Sequence, residues 1–409
     1  MQFPQTIGSK IVTLSLGLVF ISLGLKESFN SMANMLFVIS SLIWGDYKFL
    51  RKLMVKKNPI WLFTSLFLIY LVGSIYSADS DEALRRLAIK FMLFLWPWCM
   101  VLAWPVVQKT IVIRLLVLAP SFIALATLIR ATARYFGQGD FTGNWEVFRY
   151  YRLSAYAMHP NYFMLFLGGA LILLWWYRRQ QKSIFNPSID TLMWWGLLLY
   201  CGVFLQARTG FIILIALLTL ATLFFEKKFV LKDYARRLYY PVVAGSLLLL
   251  LPNHFTQRYQ INTSTEFVEE ENRDTSFSGR LVIWKHCWHC IMEKPLVGHG
   301  TGDGVQRVHK RYEEAAFEAG IRDKYNCHNQ YWETWVAVGI VGLLILIGFP
   351  LFVLKKYTDS NIALVVFSLF FYSGMFFESI LERHKGVMIL VIFATILILL
   401  TPNKKAHEL

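Results

Sequence analysis

The sequence predicts an all-α polytopic membrane protein with about 12 transmembrane helices and a large polar loop, containing surface helices, between helices 9 and 10. Hydrophobic residues make up 56% of the 409 residues, and the mean hydropathy is +0.47, whereas about 45–50% apolar residues is typical of soluble domains. The apolar residues are gathered into runs of about 15–25, the length that crosses the hydrocarbon core as a helix. Between two of these runs lies one long polar stretch, residues 253–329.

Each predicted transmembrane helix corresponds to one apolar segment of the chain. The segments begin near Ile7, Met32, Ile60, Leu87, Ile111, Asn161, Thr191, Phe211, Leu238, Tyr331, Ile362 and Val387. The first segment also resembles a signal peptide, but no small-residue cleavage site follows it, so we predict a first transmembrane helix. The chain then divides into helices 1–9 in residues 1–252, the loop with the active-site residues in 253–329, and helices 10–12 with a short tail in 330–409.

The net charge of +15 is spread over short loops instead of forming a basic domain, and we therefore expect a lipid bilayer and no nucleic acid as partner. Basic clusters follow the second, sixth, eighth, tenth and twelfth apolar segments, with little acid beside them. Positively charged loops of membrane proteins face the cytoplasm. Both termini are thus expected to be cytoplasmic, and the long loop is expected on the opposite face.

The long loop is expected to hold two helices that lie on the membrane surface. Ser278 can cap the first helix, which Pro295 ends. Its apolar stripe consists of Leu281, Trp284, Trp288 and Ile291. The stretch VQRVHKRYEEAAFEAG predicts the second helix, with Gly320 after it, and the acidic run at 269–271 is predicted to be a solvated loop.

The five cysteines are too few and too irregularly spaced for a disulfide framework. Cys327 can pair with Cys287 or Cys290 in an oxidising compartment, and the sequence leaves this choice open. The motif HCWHC at 286–290 offers four potential metal ligands. Because adjacent residues on a helix point in different directions, we predict no metal site there.

Three residues of the predicted outer face can carry chemistry. Arg208 lies in the turn QARTG, and Arg280 begins the first surface helix, where an anion also meets free backbone N–H groups. A guanidinium suits a phosphate or diphosphate, but either arginine can instead anchor to lipid headgroups. His328 lies where the loop re-enters the membrane, and a histidine there can accept a proton from a hydroxyl or simply cap the helix.

Five further residues of the same face are predicted to bind substrate. They are Arg152, His159, Asn161, Asn329 and Glu378, with Glu382 as a weaker candidate nearby. The glycine-rich stretch GHGTGDG could approach a phosphate as well. It lacks the lysine of a nucleotide-binding loop, and such a stretch is more often a turn.

Three motifs follow one another in the chain: QARTG, GRLVIWKHCWHCIMEKPLVGHGTG and HNQYWETWVAVGIVGLL. In this order, and with this number of apolar segments, they resemble the O-antigen ligase and O-antigen polymerase superfamily of bacterial envelope glycosyltransferases. The resemblance covers nearly the whole chain and is specific for the superfamily, not for one member. Trp332 is a departure, since family members often have leucine at this position.

The resemblance implies an enzyme of the bacterial inner membrane that needs neither metal nor cofactor and has a periplasmic active site. Such enzymes move a glycan from undecaprenyl diphosphate to an acceptor hydroxyl, which in the ligase branch belongs to lipid A-core, and invert the anomeric centre. Arg208 and Arg280 would bind the diphosphate and stabilise its charge as it leaves. His328 would act as the general base or orient the acceptor.

Two other functions stay open beside the ligase, which we favour. An O-antigen polymerase of the same superfamily would use two carrier-linked glycans. A lipid-linked glycan transporter belongs to another class and is expected to carry charges at mid-membrane and two related halves. The sequence shows no repeat, and its informative residues cluster on one predicted face.

Overall fold

The computed structural model describes residues 7–56, 58–137, 145–154, 156–224 and 277–401, and within these ranges the chain forms helices and no strand. The α-helices are α1 Ile7–Ser22, α2 Glu27–Trp44, α3 Tyr47–Met54, α4 Ile60–Ile75, α5 Ser80–Ala103, α6 Lys109–Gly137, α7 Tyr150–Ser154, α8 Pro160–Arg179, α9 Pro187–Leu199, α10 Arg208–Phe224, α11 Phe277–Glu293, α12 Gly304–Glu314, α13 Glu318–Asp323, α14 Gln330–Tyr357, α15 Ile362–Gly374 and α16 His384–Leu399. Short 3₁₀ turns cover Trp145–Phe148 and Ile380–Glu382. A π-helical segment, Tyr200–Leu205, continues α9.

Eleven of the twelve predicted apolar segments coincide with helices of the described chain, and the segment near Leu238 lies outside the described residues. Five helices are long and apolar enough to cross a membrane, namely α5, α6, α8, α14 and α9 together with its π-helical end. Helices α1, α4, α10, α15 and α16 are apolar but shorter. The all-α fold of a membrane-spanning chain is therefore confirmed, while the number of 12 spans and the division of the chain into three parts stay predictions.

The centre of the helix bundle is α16. Its residues from Gly386 to Ile398 are all buried, although the sequence predicts a lipid-facing span like the others. A helix that is apolar on every side is buried when other helices surround it. Helices α5, α8 and α15 pack around α16, and the turn Ile380–Glu382 that precedes it also contacts α5.

The first surface helix, α11, packs against α14, and its buried face overlaps the predicted apolar stripe in part. Ile291 of the stripe is buried together with Ile283, Cys287 and Cys290, and Trp284 packs against this cluster. Leu281 and Trp288 are 41% and 43% exposed. Ser278 lies inside the first turn, because α11 begins at Phe277.

The predicted second surface helix is two helices, α12 and α13, with a break between them. Ala316 has a φ of 50° at this break, and Gly320 lies within α13 instead of after it. The break lets Phe317 fold back onto Tyr312 and His286, with ring centroids 5.4 Å and 5.5 Å apart. Burial of this aromatic side chain explains why the helix does not continue.

Helix α14 is kinked at Val338 and Gly339, and the glycine-rich stretch of the loop packs into the kink. Gly339 has a φ of 72°. The backbone N–H groups of His299 and Gly300 donate to the carbonyls of Val336 and Ala337 at 2.8 Å and 2.9 Å. The glycine-rich stretch thus binds the backbone of α14, which supports the prediction of a turn in preference to a phosphate loop.

Candidate active site

The start of α14 places His328 and Asn329 at the end of the long loop. Asn329 is buried, and its Oδ1 accepts hydrogen bonds from the backbone N–H groups of Tyr331 at 3.0 Å and Trp332 at 3.2 Å. These bonds satisfy two N–H groups that a helix start leaves without a partner. The side chain of Asn329 therefore caps the helix, and its predicted role in substrate binding stays a prediction.

His328 has a φ of 43°, in the left-handed region that side chains other than glycine rarely adopt. Holding a residue there costs about 1–3 kcal/mol and is common at functional sites. Nδ1 of His328 lies 3.5 Å from Oε1 of Glu378, a distance at which a protonated imidazole and a carboxylate attract each other. The ring of Tyr325 lies beside His328, with centroids 5.7 Å apart.

Glu378 links the loop to the start of α8. Its Oε2 accepts a hydrogen bond of 3.3 Å from Nδ2 of Asn161, and its side chain is 15% exposed. Burial raises the pKa of the Glu378 carboxyl, but the contacts with His328, His159 and Asn161 outweigh burial and hold the pKa below its usual value. The carboxylate is thus ionised beside the histidine, and the predicted role of Glu378 in substrate binding stays a prediction.

His159 caps α8, and its Nδ1 accepts a 3.4 Å hydrogen bond from the backbone N–H of Asn161. Burial lowers the pKa of His159, Arg383 and His328 lower it further, and the charge of Glu378 opposes them. The imidazole is therefore neutral near pH 7. The structure brings His159, Asn161, Glu378 and His328 together, as their assignment to one face predicts.

Arg280 lies in the first turn of α11 and extends the group around Glu378. Its half-buried side chain interacts electrostatically with Glu378 and Tyr150. Burial lowers the pKa of the guanidinium, whereas the charges of these two neighbours raise it. Within the described chain, the Arg280 Nε is buried and has no hydrogen-bond partner. A desolvated arginine with an unused donor is suited to an anionic group.

Tyr150, which sequence reasoning did not select, belongs to this group. Its ring lies 6.4 Å from that of His159, and it faces Arg280. Its φ of 42° is again left-handed. The only signal in the sequence is its place in the segment RYYRLSAYAMHPN, which also supplies Arg152 and His159.

Arg208 is the first residue of α10 and is exposed. The π-helical segment ends at Gln206, whose φ of 50° turns the chain into α10. A Cβ on Gly210 would lie 2.8 Å from the Met164 side chain, so the first turns of α10 and α8 are adjacent. Arg208 therefore lies at the same end of the bundle as Asn161, although no bond in the described residues joins it to the Glu378 group.

Arg152 lies on α7, which packs against the π-helical segment before Arg208. Its side chain is exposed. Four helices consequently begin around one region: α8, α10, α11 and α14. Each N-terminus carries a partial positive charge from the helix dipole, and together with the arginines these ends make the region electropositive.

The choice that the sequence left open for Cys327 is resolved, because Cys327 forms a disulfide bond with Cys287. The indole N–H of Trp284 also donates to the Cys327 carbonyl at 3.1 Å. The bridge joins the helix of Arg280 to the residue directly before His328. It also occupies one potential ligand of the HCWHC motif, while His286 stacks on Phe317. Among the described residues, no three His, Cys, Asp or Glu side chains form a metal-binding group.

A second group of charges lies beside the first. Arg86 and Lys90 on α5 bind Glu382 at 2.7 Å and 2.8 Å, and Arg86 Nη1 lies 3.8 Å from Oε1 of Glu333. Lys90 and Glu333 are buried. Sequence reasoning selected only Glu382 of these four. Lys90 and Glu333 could have been found by their charge within apolar segments, where ionisable residues are rare and usually functional, whereas Arg86 precedes the segment that begins near Leu87.

Comparison with known proteins covers the segment that contains the predicted catalytic residues. Residues 195–347 match the O-antigen ligase family. Arg208, Arg280 and His328 all lie within this match, which confirms the resemblance to the O-antigen ligase and polymerase superfamily. An uncharacterised protein of Haemophilus influenzae is 29% identical over 146 residues. That alignment spans 34% of this chain and 37% of the relative, so the chain covers well under two thirds of its length.

Proposed function

We propose that the protein is a glycosyltransferase that moves an O-antigen-type glycan from undecaprenyl diphosphate to a hydroxyl of lipid A-core. The reaction takes place at the periplasmic face of the bacterial inner membrane, with both termini of the chain in the cytoplasm. The observation that carries this proposal is the pair of His328 and Glu378 beside the half-buried Arg280. The ligase-family match over residues 195–347 supports it.

In the proposed reaction, His328 removes the proton from the acceptor hydroxyl as its oxygen attacks the anomeric carbon. The new bond joins this oxygen to the anomeric carbon, and the bond to the diphosphate oxygen breaks on the opposite side. The diphosphate leaves with the bonding electrons, and the anomeric centre is inverted. Glu378 holds the imidazole in place and stabilises its positive charge once it is protonated, as a carboxylate does in other base–acid pairs.

The negative charge that develops on the diphosphate needs stabilisation at the bilayer surface. Arg280 and Arg208 supply two permanent positive charges, and the starts of α10 and α11 add oriented N–H groups. The hydrogen bond from Asn161 helps to keep Glu378 ionised and in position. In this proposal, groups of the protein alone stabilise the negative charge on the departing diphosphate, so the proposed reaction uses no metal or cofactor.

Complementation of a deletion strain tests the proposal. Arg280→Ala is expected to reduce transfer about 10²–10³-fold, because it removes charge stabilisation, and His328→Ala about 10²–10⁴-fold, because it removes the base. Arg322→Ala and His309→Ala are matched controls in the same loop, and they should retain transfer. Full activity of His328→Ala, with normal protein level, contradicts the proposed chemistry.

The lipopolysaccharide of the deletion strain separates the ligase from the polymerase. Loss of a ligase leaves bare core and carrier-linked chains, whereas loss of a polymerase leaves core with one repeat unit. The latter pattern would favour the polymerase. A transporter is the second candidate function, which Arg86 and Lys90 favour because they are charged residues of an apolar helix. Accumulation of carrier-linked glycan on the cytoplasmic side of the membrane would support the transporter and contradict both transferases.

A further inference from the structure

Glu333, in the first turn of α14, bonds to both chain segments that carry the proposed catalytic pair. Its side chain is buried, with 3% exposed. Its Oε2 accepts a 3.0 Å hydrogen bond from the backbone N–H of Cys327 and a 3.4 Å hydrogen bond from the Ser379 hydroxyl. Cys327 directly precedes His328, and Ser379 directly follows Glu378. One carboxylate oxygen therefore joins the two residues adjacent to the pair.

The other oxygen of Glu333 faces a cation from a different helix. Oε1 lies 3.8 Å from Nη1 of Arg86, which also binds Oε2 of Glu382 at 2.7 Å. Lys90, one turn further along α5, binds Oε1 of Glu382 at 2.8 Å. Arg86 also binds Oε1 of Glu82 at 2.7 Å, so its guanidinium lies between the carboxylates of Glu82, Glu333 and Glu382. A buried charge without a partner is strongly destabilising, and the cations of α5 place positive charge opposite the Glu333 carboxyl group.

Gln330 makes a second connection between the same two segments. Its Oε1 accepts a 2.6 Å hydrogen bond from the backbone N–H of Leu381, and its own backbone N–H donates to the Met375 carbonyl at 2.8 Å. The segment with Glu378 is therefore held to α14 on both sides of Glu378. These contacts fix the separation of the two side chains in the pair, because neither backbone can shift alone.

We propose that Glu333 is a positioning residue, which holds His328 and Glu378 at their reactive separation while its second carboxylate oxygen faces the Arg86 guanidinium. The inference rests on the proposed glycosyl transfer and adds a role that none of the predicted site residues has. Glu333 itself touches neither member of the pair and acts through the Cys327 backbone and the Ser379 hydroxyl.

A glutamine cannot replace this carboxylate, although it has the same shape. If its amide oxygen faces Cys327 and Ser379, its NH₂ group is directed toward the Arg86 guanidinium, which has no acceptor to offer. If the amide is reversed, the NH₂ group meets the Cys327 N–H. Either orientation leaves donors facing donors, so Glu333→Gln is expected to displace the backbone beside His328.

The test uses the purified full-length protein with undecaprenyl diphosphate-linked glycan as donor and lipid A-core as acceptor. Glu333→Gln is expected to lower kcat at least tenfold while KM for the donor changes less than threefold, because the arginines that bind the diphosphate are untouched. Glu293→Gln is the matched control. Glu293 also pairs with an arginine, Arg307, in the same loop, but has no contact with the catalytic pair, and it should retain the wild-type rate.

A double-variant cycle separates positioning from general stability. If Glu333 acts through the pair, Glu333→Gln lowers kcat less than threefold in a Glu378→Gln background, because the pair is already broken. An equal loss in both backgrounds, or a wild-type rate for Glu333→Gln, overturns the inference. If Glu333→Gln does not fold, Ser379→Ala replaces it in the same cycle, with a severalfold loss expected in the wild-type background and little in the other.

The wild-type protein in the same assay distinguishes the two proposals. An active wild type with an unaffected Glu333→Gln variant overturns only the positioning role. A folded wild type that transfers no glycan overturns the proposed function and the positioning role together.

Discussion

Loss of the Cys287–Cys327 bond is expected to increase local opening of the loop beside His328. The two cysteines are 40 residues apart in the chain. The chain-entropy model gives such a loop a stabilisation of about 4 kcal/mol at 25 °C. Because about 1.4 kcal/mol is a tenfold change in an equilibrium constant, removal of the bond should raise the equilibrium constant for local opening of the loop up to about 10³-fold.

Amide hydrogen exchange measures this opening directly. Peptides that cover Phe277–Glu293 should exchange much faster in Cys327→Ser and in Cys287→Ser than in the wild type. The rate of glycan transfer should fall less than exchange rises, since the apolar contacts of Ile283, Ile291 and Tyr312 keep most molecules closed. Both variants should behave alike, because each removes the same bond.

The double variant Cys287→Ser/Cys327→Ser is the control for added reductant. It has no bridge to reduce, so dithiothreitol should leave its exchange unchanged while it accelerates exchange of the wild type. Cys290 does not replace a missing partner readily, because burial raises its pKa to about 11 and keeps the thiol protonated. Amide exchange as slow as that of the wild type in both single variants would refute the inference that the disulfide bond keeps the loop closed.

Two further predictions concern the kink of α14 and the charge of Glu378. Gly339→Ala should lower the free energy of unfolding by at least about 2 kcal/mol, because a Cβ would lie 2.1 Å from the Leu296 carbonyl oxygen. The loss is measured as a lower Tm in detergent. Gly348→Ala is the control and should be tolerated, since its Cβ would have its nearest contact at 3.7 Å. The depressed pKa of Glu378 predicts stability that is fully present above its ordinary value of about 4.3 and is lost as pH falls through the lower folded value. The Tm advantage of the wild type over Glu378→Gln should therefore shrink as the pH falls below about 4.3, and an advantage that grows under acid would contradict it.

Helix positions followed from apolar runs because a membrane-spanning helix must satisfy its backbone groups internally. The run near Ile362 corresponds to α15, and the run near Val387 to α16. The same signal could not tell which helix is central, since lipid and a protein core select the same residue types. The buried position of α16 depends on which helices surround it, and that information lies in contacts between distant parts of the chain.

The residues of the candidate site were predictable where their chemistry restricts the residue type. The contacts between these residues were not predictable, because they depend on backbone geometry. His328, Glu378, Asn161 and Arg280 were assigned to one face from loop charges and motifs, and the structure brings them together. The contact between His328 and Glu378 depends on a left-handed backbone at His328, which no pattern in this sequence indicates. The buried face of α11 contains Cys287 and Cys290, which the apolar stripe predicted from the sequence did not include.

Arg86 and Lys90 show how the network around Glu333 could have been inferred in part. They are four residues apart on α5 and therefore share one face, and Lys90, a cation within an apolar segment, requires an acidic partner. The acid that binds both, Glu382, is 296 residues from Arg86 and 292 from Lys90, so local pattern could not identify it. Few acids lie in or beside the predicted spans, however, and Glu333, Glu378 and Glu382 all border the predicted outer face. The buried Lys90 on α5 thus predicts an acidic partner near the loop, and that partner lies next to the residues proposed to react.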